Sequence, residues 1–451
     1  MIERALMVSR GYSLYSELPC DQAPAAFLIG SLFSGDVVSL RLLTAIISLG
    51  AIACSMAVSR FLAGQYAAIF TGALLAVDFT FVRESRLFSL DALSAGLLIF
   101  AVAAFILGQR RKHALALVFA GLLIGLSASV KLIGGLGLVA VLFFLAVEAR
   151  AGRETLKASL VKGATVAASS MIPVAAFMLV LGPSDMLQGA VLDQAHRGFE
   201  PFLKLSILAF FGLSVAYALP MAYARSLWKL GASQRFMLCV VGVILAFMIL
   251  QPLTFLHHMV FLSPILAILA GILMSSELGL GKGAISERAE RFEPNRARRG
   301  RACKAAFLVA IVLSGGLSCY GVIVQDEPAQ VKYGELLSQL TAEGDFVICG
   351  DPIIAAYADR RTPPEVVNVA ERQHPAIDLD TLRNAVVEYN VKVVVICYFL
   401  NDIAGLEEML SDEGFAVLAL PYAVSEAEAA LDLFQKPIEP VAFYGRDLST
   451  V

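Results

Sequence analysis

Residues 81–100 read FVRESRLFSLDALSAGLLIF. The apolar run is of a length that crosses a bilayer, which takes about 20 residues as a helix. It opens on Arg83, Glu84 and Arg86, and Asp91 lies several residues into the run. Arginines at such a boundary are easily explained, because their long stems let the charge snorkel to the headgroups. An aspartate is too short for that. An acid inside a membrane segment normally faces a bundle interior or a wet cavity and has a partner. Arg86, five positions before Asp91, is the nearest candidate. A structural ion pair and a ligand site both remain open for these charges.

The rest of the chain fits a membrane reading. Of its 451 residues, 58% are hydrophobic and only 16% are charged, where a soluble domain carries about a quarter charged. The charge is unevenly placed. Residues 37–323 form a series of apolar runs, whereas 325–451 have ordinary soluble composition and residues 1–36 form a mixed polar segment. About ten spans are expected, near 37–59, 65–82, 87–107, 113–129, 132–147, 160–182, 203–224, 235–251, 258–275 and 305–323. The pair 113–129 and 132–147 also reads as one re-entrant hairpin around Ser127–Lys131. The fold class expected is a polytopic α-helical membrane protein with a small C-terminal α/β domain.

Loop charges set the orientation. Arg60, Arg110, Arg111, Lys112, Arg150, Arg153, Lys157, Arg225, Lys229, Arg235 and the 282–304 loop fall on one side if the spans alternate. Basic loops stay in the cytoplasm. The other face then carries residues 1–36, the 83–91 charges, Lys131, the 183–202 loop, the turn before His258 and the whole tail. The expected location is the cell (plasma) membrane, multi-pass, with the C-terminal domain extracytoplasmic. The net charge of −3 averages two unlike halves, and nucleic acid is not among the expected partners. The 7 cysteines show no CxxC and no regular spacing, so they support neither a metal site nor a disulfide framework.

In the tail, DFVICGD (345–351), VKVVVICYF (391–399) and GFAVLALP (414–421) read as strands, and 331–344 and 378–390 have helical spacing. That order predicts a mostly parallel sheet.

The outer face gathers cations. Lys131 precedes Gly134, Gly135 and Gly137 in SASVKLIGGLG, and His257 and His258 open a late span in QPLTFLHHMVFLSP. Lys131 reads either as an interfacial anchor or as an ammonium that meets a phosphate. Two adjacent histidines should diverge on a helix, so a shared metal ion is not expected; one imidazole donating to an anion fits better. His196 and Arg197, in the 183–202 loop, read first as a solvated loop and alternatively as a further donor pair. Cations with carboxylates at a membrane boundary suit a phosphate-bearing ligand and a reaction that needs a base.

Taken in order, these segments resemble the GT-C-fold glycosyltransferases of family 39/83, the protein O-mannosyltransferase and aminoarabinose-transferase-like enzymes. ESRLFSLDALSAGLLIF is similar to their serine–arginine stretch with an aspartate opening a helix, and GYSLYSELPCDQAP to their first outer loop. VKLIGGLG resembles their lysine–glycine segment, and FLHHMVFLSPILAILAG their late helix with polar residues before a proline. GDFVICGDPIIAAYADRRTPPEVVNVA is similar to soluble tails of some prokaryotic members. The resemblance implies an inverting transfer from a polyprenyl-phosphate-linked sugar to a hydroxyl acceptor, with membrane lipid around it. It implies that Lys131 and His257 or His258 hold phosphate, with Arg86 and Asp91 shaping the site; Arg197 stays a phosphate-binding candidate from its loop alone. The family's base comes from an acidic pair in the first outer loop, after a first membrane helix. Here Met1 falls inside the equivalent loop, and Glu3, Glu17 and Asp21 are the base candidates. No metal ligands are assigned; a divalent metal is admitted as a cofactor without being required. The alternatives are a noncatalytic relative that binds lipid phosphate and a membrane transporter. A transporter would show internal repeats and paired broken helices near the midplane, and no repeat is seen.

Overall fold

The computed structural model describes residues 1–193, 201–278, 280, 296–323, 329–367, 377–418 and 442–446. The chain divides into two compact units. One comprises Met1–Leu40, Leu181–Arg197 and Gln325–Val451, and the other Arg41–Val180 and Gly198–Val324.

The first unit is built on a four-stranded sheet in the order β1-β2-β4-β3, with β1 Val347–Cys349, β2 Val393–Ile396, β3 Ala416–Val417 and β4 Ala442–Gly445. The apolar runs of β1 and β2 form strands because both of their faces are covered. Ile348, Val394 and Ile396 pack with Leu382, Val386 and Met409. Val347, Cys349, Val393 and Val395 pack with Leu337, Ile354 and Phe443. Continuous β-branched runs are the mark of strands buried on both faces. The sheet is mixed rather than mostly parallel: β1 and β2 run parallel, while β4 pairs antiparallel with both β2 and β3. The expectation failed at β4, which inserts between β2 and the segment read as the third strand. Gly350 is required where β1 ends, since a Cβ there would lie 1.9 Å from the Cys397 carbonyl oxygen.

The N-terminal residues belong to this unit. Helix α1 (Ile2–Ser9) packs with α2 (Ala25–Ser31). Arg10 fixes the end of α1, donating to the Asp359 carboxylate at 2.7 Å and the Arg360 carbonyl at 2.9 Å.

The second unit is helical. It contains α3 (Val37–Ala63), α4 (Gln65–Val77), α5 (Phe79–Ser85), α6 (Leu90–Arg111), α7 (Ala114–Val130), α8 (Leu136–Arg150) and α9 (Leu156–Leu181). Later helices span Leu205–Leu213, Ala232–Leu250, Ser263–Glu277 and Arg296–Ile323. Among the described residues, 6 helices are long and apolar enough to cross a membrane, or up to 8 with two bent pairs. Ala114–Val130 and Ser263–Glu277 are shorter apolar helices. Each run expected to span overlaps one of these helices or bent pairs in position. The run expected at 65–82 is broken by 67° between α4 and α5. Asp78 makes the break workable by accepting from the Thr80 and Phe81 amides, while Ser314 accepts from Phe79 N and Ser318 donates to the Val77 carbonyl. In lipid, backbone groups freed by a kink need such partners.

Small residues let the helices approach closely. A Cβ on Gly121 would meet Ser169 Oγ at 1.9 Å, and one on Gly125 would meet the Ser170 carbonyl at 2.0 Å, so α7 presents a glycine face to α9. Close backbone approach through small residues is how helices associate in membranes. Ser94 of α6 and Ser127 of α7 exchange hydrogen bonds, each hydroxyl donating to the other residue's carbonyl at 2.9 and 2.7 Å.

The helix ends differ in charge. Buried Glu148, near the end of α8, accepts two 2.8 Å bonds from Arg235 and further bonds from Arg153. Arg110 and Arg111 lie in the last turn of α6, whose first turn holds Asp91. A 22-residue helix at about 1.5 Å per residue separates those ends by roughly 30 Å. The basic 282–304 loop lies largely outside the described residues.

Candidate functional site

The site in the helical unit starts with the entry to α6. Ser89 is its N-cap: the hydroxyl accepts from Ala92 N at 3.3 Å and donates to Glu84 Oε2 at 2.6 Å. This ties the end of α5 to the start of α6. Asp91 falls in the first turn, where the helix dipole favours a negative charge. It is buried, and Lys131 Nζ donates to its Oδ2 at 2.6 Å. Its Oδ1 is buried and has no hydrogen-bond partner among the described residues.

Lys131 reaches Asp91 because α7 stops one residue earlier. The Lys131 backbone is extended at φ −152° and ψ 130°, and its carbonyl accepts from Gly134 N at 2.8 Å. The turn that follows holds Gly134 against Ser127 and Ser94. The serine pair and the glycine therefore set the position of the lysine.

His257 and His258 sit in a 3-10 helix, Leu256–Phe261, between the Ala232–Leu250 and Ser263–Glu277 helices. They precede the late α-helix instead of lying within it, because Pro264 starts that helix at its first turn. The expected divergence of the two rings does not occur. Their centroids are 4.5 Å apart at 85°, and Phe255 stacks on His257 at 5.3 Å. His257 Nε2 is 4.0 Å from Asp91 Oδ2. One ligand atom from each of Asp91, His257 and His258 lies within 4.8 Å of the others. The turn is held from behind by Lys204, which donates to the Met248 carbonyl at 3.0 Å, Thr254 Oγ1 at 2.8 Å and the Gln251 carbonyl. Gln251 Nε2 and the Phe255 amide lie 3.3 and 3.4 Å from His258 Nδ1.

The structure thus joins Asp91, Lys131, His257 and His258, and adds Glu84, Ser89 and Gln251 around them. Arg86 is exposed at the C-cap of α5, and the ion pair of Asp91 is with Lys131 rather than Arg86. Arg197 and His196 lie outside the described residues.

The three proposed bases belong to the other unit. Glu3 is buried and accepts from Thr362 Oγ1 at 2.9 Å. Asp21 is buried, with Arg4 Nη1 at 3.7 Å. Glu17 is exposed and closes its own loop by accepting from Ser13 N at 2.6 Å. Burial pushes the Glu3 carboxyl up to about 7 against the hydrogen bond from Thr362, which favours the ionised form. The sign follows from linkage. Glu3 contributes fully at pH values below the ordinary carboxyl range, and the contribution is lost as pH rises through about 7. The loss amounts to about 3 kcal/mol at 1.36 kcal/mol per pKa unit. Thermal unfolding of the full chain between pH 5 and pH 8 should show the wild type losing stability with rising pH and Glu3→Gln losing much less. Equal slopes would refute the assignment.

Three comparisons bear on this arrangement. The family model for dolichyl-phosphate-mannose-protein mannosyltransferases matches residues 25–177. The crystal structure of ArnT from Cupriavidus metallidurans in the apo state is similar with a TM-score of 0.60 and 16% identity, covering 93% of this chain and 91% of that one. The same protein bound to undecaprenyl phosphate matches at 0.59 and 17%, with the same coverage. The archaeal oligosaccharyltransferase AglB from Archaeoglobus fulgidus, in complex with an inhibitory peptide and a dolichol-phosphate, matches at 0.53 and 16%, covering 96% of this chain and 70% of that one. No curated protein matches the sequence. The chain has the GT-C fold of these membrane glycosyltransferases.

Proposed function

We propose that this GT-C-fold chain is a glycosyltransferase that moves a sugar from a polyprenyl-phosphate donor to a hydroxyl acceptor, with inversion, at the outer face of the plasma membrane. The observation that carries the reading is the Asp91–Lys131 pair with the two histidines beside it, at the end of α6 remote from the arginines. Positive-inside logic puts those arginines in the cytoplasm and the site outside. The lipid phosphates bound by structurally similar proteins, undecaprenyl phosphate in ArnT and dolichol-phosphate in AglB, support this donor class.

In the proposed reaction the acceptor oxygen attacks the anomeric carbon. The bond from that carbon to the phosphate oxygen breaks, and polyprenyl phosphate leaves with the electron pair. Negative charge grows on the leaving phosphate. A preorganised cation at that point is worth far more than in water. Lys131 fills this role, and Asp91 holds its ammonium in place before the donor arrives. The imidazole side chains supply polar contact to the same phosphate. The acceptor proton passes to a carboxylate, for which Glu3, Glu17 and Asp21 are the candidates the resemblance implies. Glu17 is the exposed one of the three.

The test is transfer by the purified full chain in lipid nanodiscs, using radiolabelled polyprenyl-phosphate sugars in parallel with nucleotide sugars. Label should leave the lipid-linked donors only, with release of polyprenyl phosphate. Transfer from nucleotide sugars, with none from lipid-linked ones, would overturn the proposal.

A further inference from the structure

We propose that Asp91, His257 and His258 form a binding site for a divalent transition-metal ion, of the zinc or manganese class. Three observations point there. First, one donor atom of each residue lies within 4.8 Å of the others, although the residues come from two separate segments. Second, the Asp91 carboxylate is not fully satisfied: Lys131 donates to Oδ2, the oxygen 4.0 Å from His257 Nε2, while Oδ1 is buried and has no hydrogen-bond partner among the described residues. A buried carboxylate oxygen left unpaired is costly, and a cation is the natural way to satisfy it. Third, the 3-10 turn turns two adjacent imidazoles toward one place, where an α-helix would splay them.

The donor set selects the metal. Two imidazoles and one carboxylate suit zinc, manganese or iron, whereas magnesium and calcium prefer oxygen ligands throughout. Three protein ligands also leave a coordination position open, as sites that meet a substrate do. The His257 side chain is 35% exposed, so the open side has a route to solvent. Lys131 donates to Asp91 Oδ2, the oxygen that also lies 4.0 Å from His257 Nε2, and is not a ligand.

The surroundings of His258 make a specific demand. A histidine that binds a metal through Nε2 carries its proton on Nδ1 and donates it to an acceptor. Here Nδ1 faces the Gln251 carboxamide at 3.3 Å and the Phe255 amide at 3.4 Å. With the metal bound, Gln251 presents its oxygen by a carboxamide flip that gives up its 3.2 Å bond to Thr254 Oγ1, and the long contact to Phe255 N is given up as well. Gln251 is therefore the positioning residue for the ligand His258. What this site says about phosphate rests on the proposed function: a phosphate oxygen is a fitting ligand for the open position. The metal site itself does not depend on it.

Cobalt(II) is the probe, because tetrahedral and five-coordinate cobalt absorbs visibly while the hydrated ion barely does. The full chain, stripped with EDTA and kept in nanodiscs, is titrated with cobalt. The expected result is a saturable visible band at about one equivalent per chain, displaced by zinc. His257→Ala and His258→Ala should each weaken binding at least about tenfold, and Gln251→Leu by about 10- to 100-fold. Arg150→Met, which removes an exposed cation at the last residue of α8, should retain the band. Absence of any band in the wild-type protein, or a band unchanged in both histidine variants, overturns the proposal. The wild-type titration needs no variant to fold and no sugar donor. A chain that binds cobalt but transfers no lipid-linked sugar would refute the proposed function and leave the metal site standing.

Discussion

Replacing Lys131 with methionine should lower sugar transfer by at least about a hundredfold, the usual loss when one preorganised charge-stabilising group is removed. Methionine keeps much of the stem and deletes only the ammonium. The variant also strands Asp91, whose Oδ1 is already unpaired. Breaking one side of a buried pair costs about 3–5 kcal/mol, so a fall in transfer alone could reflect damage to the fold. The double variant Asp91→Asn with Lys131→Met separates the two effects. Removing both charges should recover most of the thermal stability, because no buried charge is left uncompensated, yet transfer should stay lost. If the double variant regained transfer, the pair would be a structural clasp and the site would lie elsewhere.

A second large effect is expected at Gly134. A Cβ there would stand 2.1 Å from Ser127 Oγ and 2.6 Å from Ser94 Oγ, and 2.7 Å from the Ser127 carbonyl carbon. These contacts are with the serine pair that joins α6 to α7, and the backbone among them cannot give way cheaply. Gly134→Val should therefore destabilise the protein by on the order of 3 kcal/mol and displace the turn that fixes Lys131, so that transfer falls with stability. Gly135 is the control. Its Cβ would meet only Ala128 Cβ at 3.4 Å, an ordinary contact. Gly135→Ala should behave nearly as wild type in thermal unfolding and in transfer. Equal damage at the two positions would contradict the close packing seen at Gly134.

These two cases also show what the sequence made legible. The apolar helices were readable from apolar length, and the clustered residues Asp91, Lys131, His257 and His258 stood out by polarity inside such runs. Pairing was not readable. Sequence proximity favoured Arg86 as the partner of Asp91, but a bend between α5 and α6 leaves Arg86 exposed, and α7 brings Lys131 back from forty positions away. The histidines were expected to diverge on a helical spacing, and the 3-10 turn between two helices removes that premise. Gln251 and Lys204 carried no signal, since their roles depend on how the Ala232–Leu250 helix ends. In the tail, β1 and β2 announced themselves as uninterrupted β-branched runs. The four residues of β4 did not, and their antiparallel insertion changed the sheet from parallel to mixed. The fold followed from local composition, while the site depended on contacts between distant segments.

The cluster around Lys131 is proposed to hold the phosphate of a lipid carrier. The most direct measurement is the affinity of the full chain in nanodiscs for polyprenyl phosphate alone, with no sugar and no acceptor present. Lys131→Met should weaken binding at least about tenfold, as loss of a charge-assisted contact does, while Arg150→Met, an exposed cation at the last residue of α8, should bind as the wild type does. Equal affinity in the wild type and Lys131→Met would contradict the account.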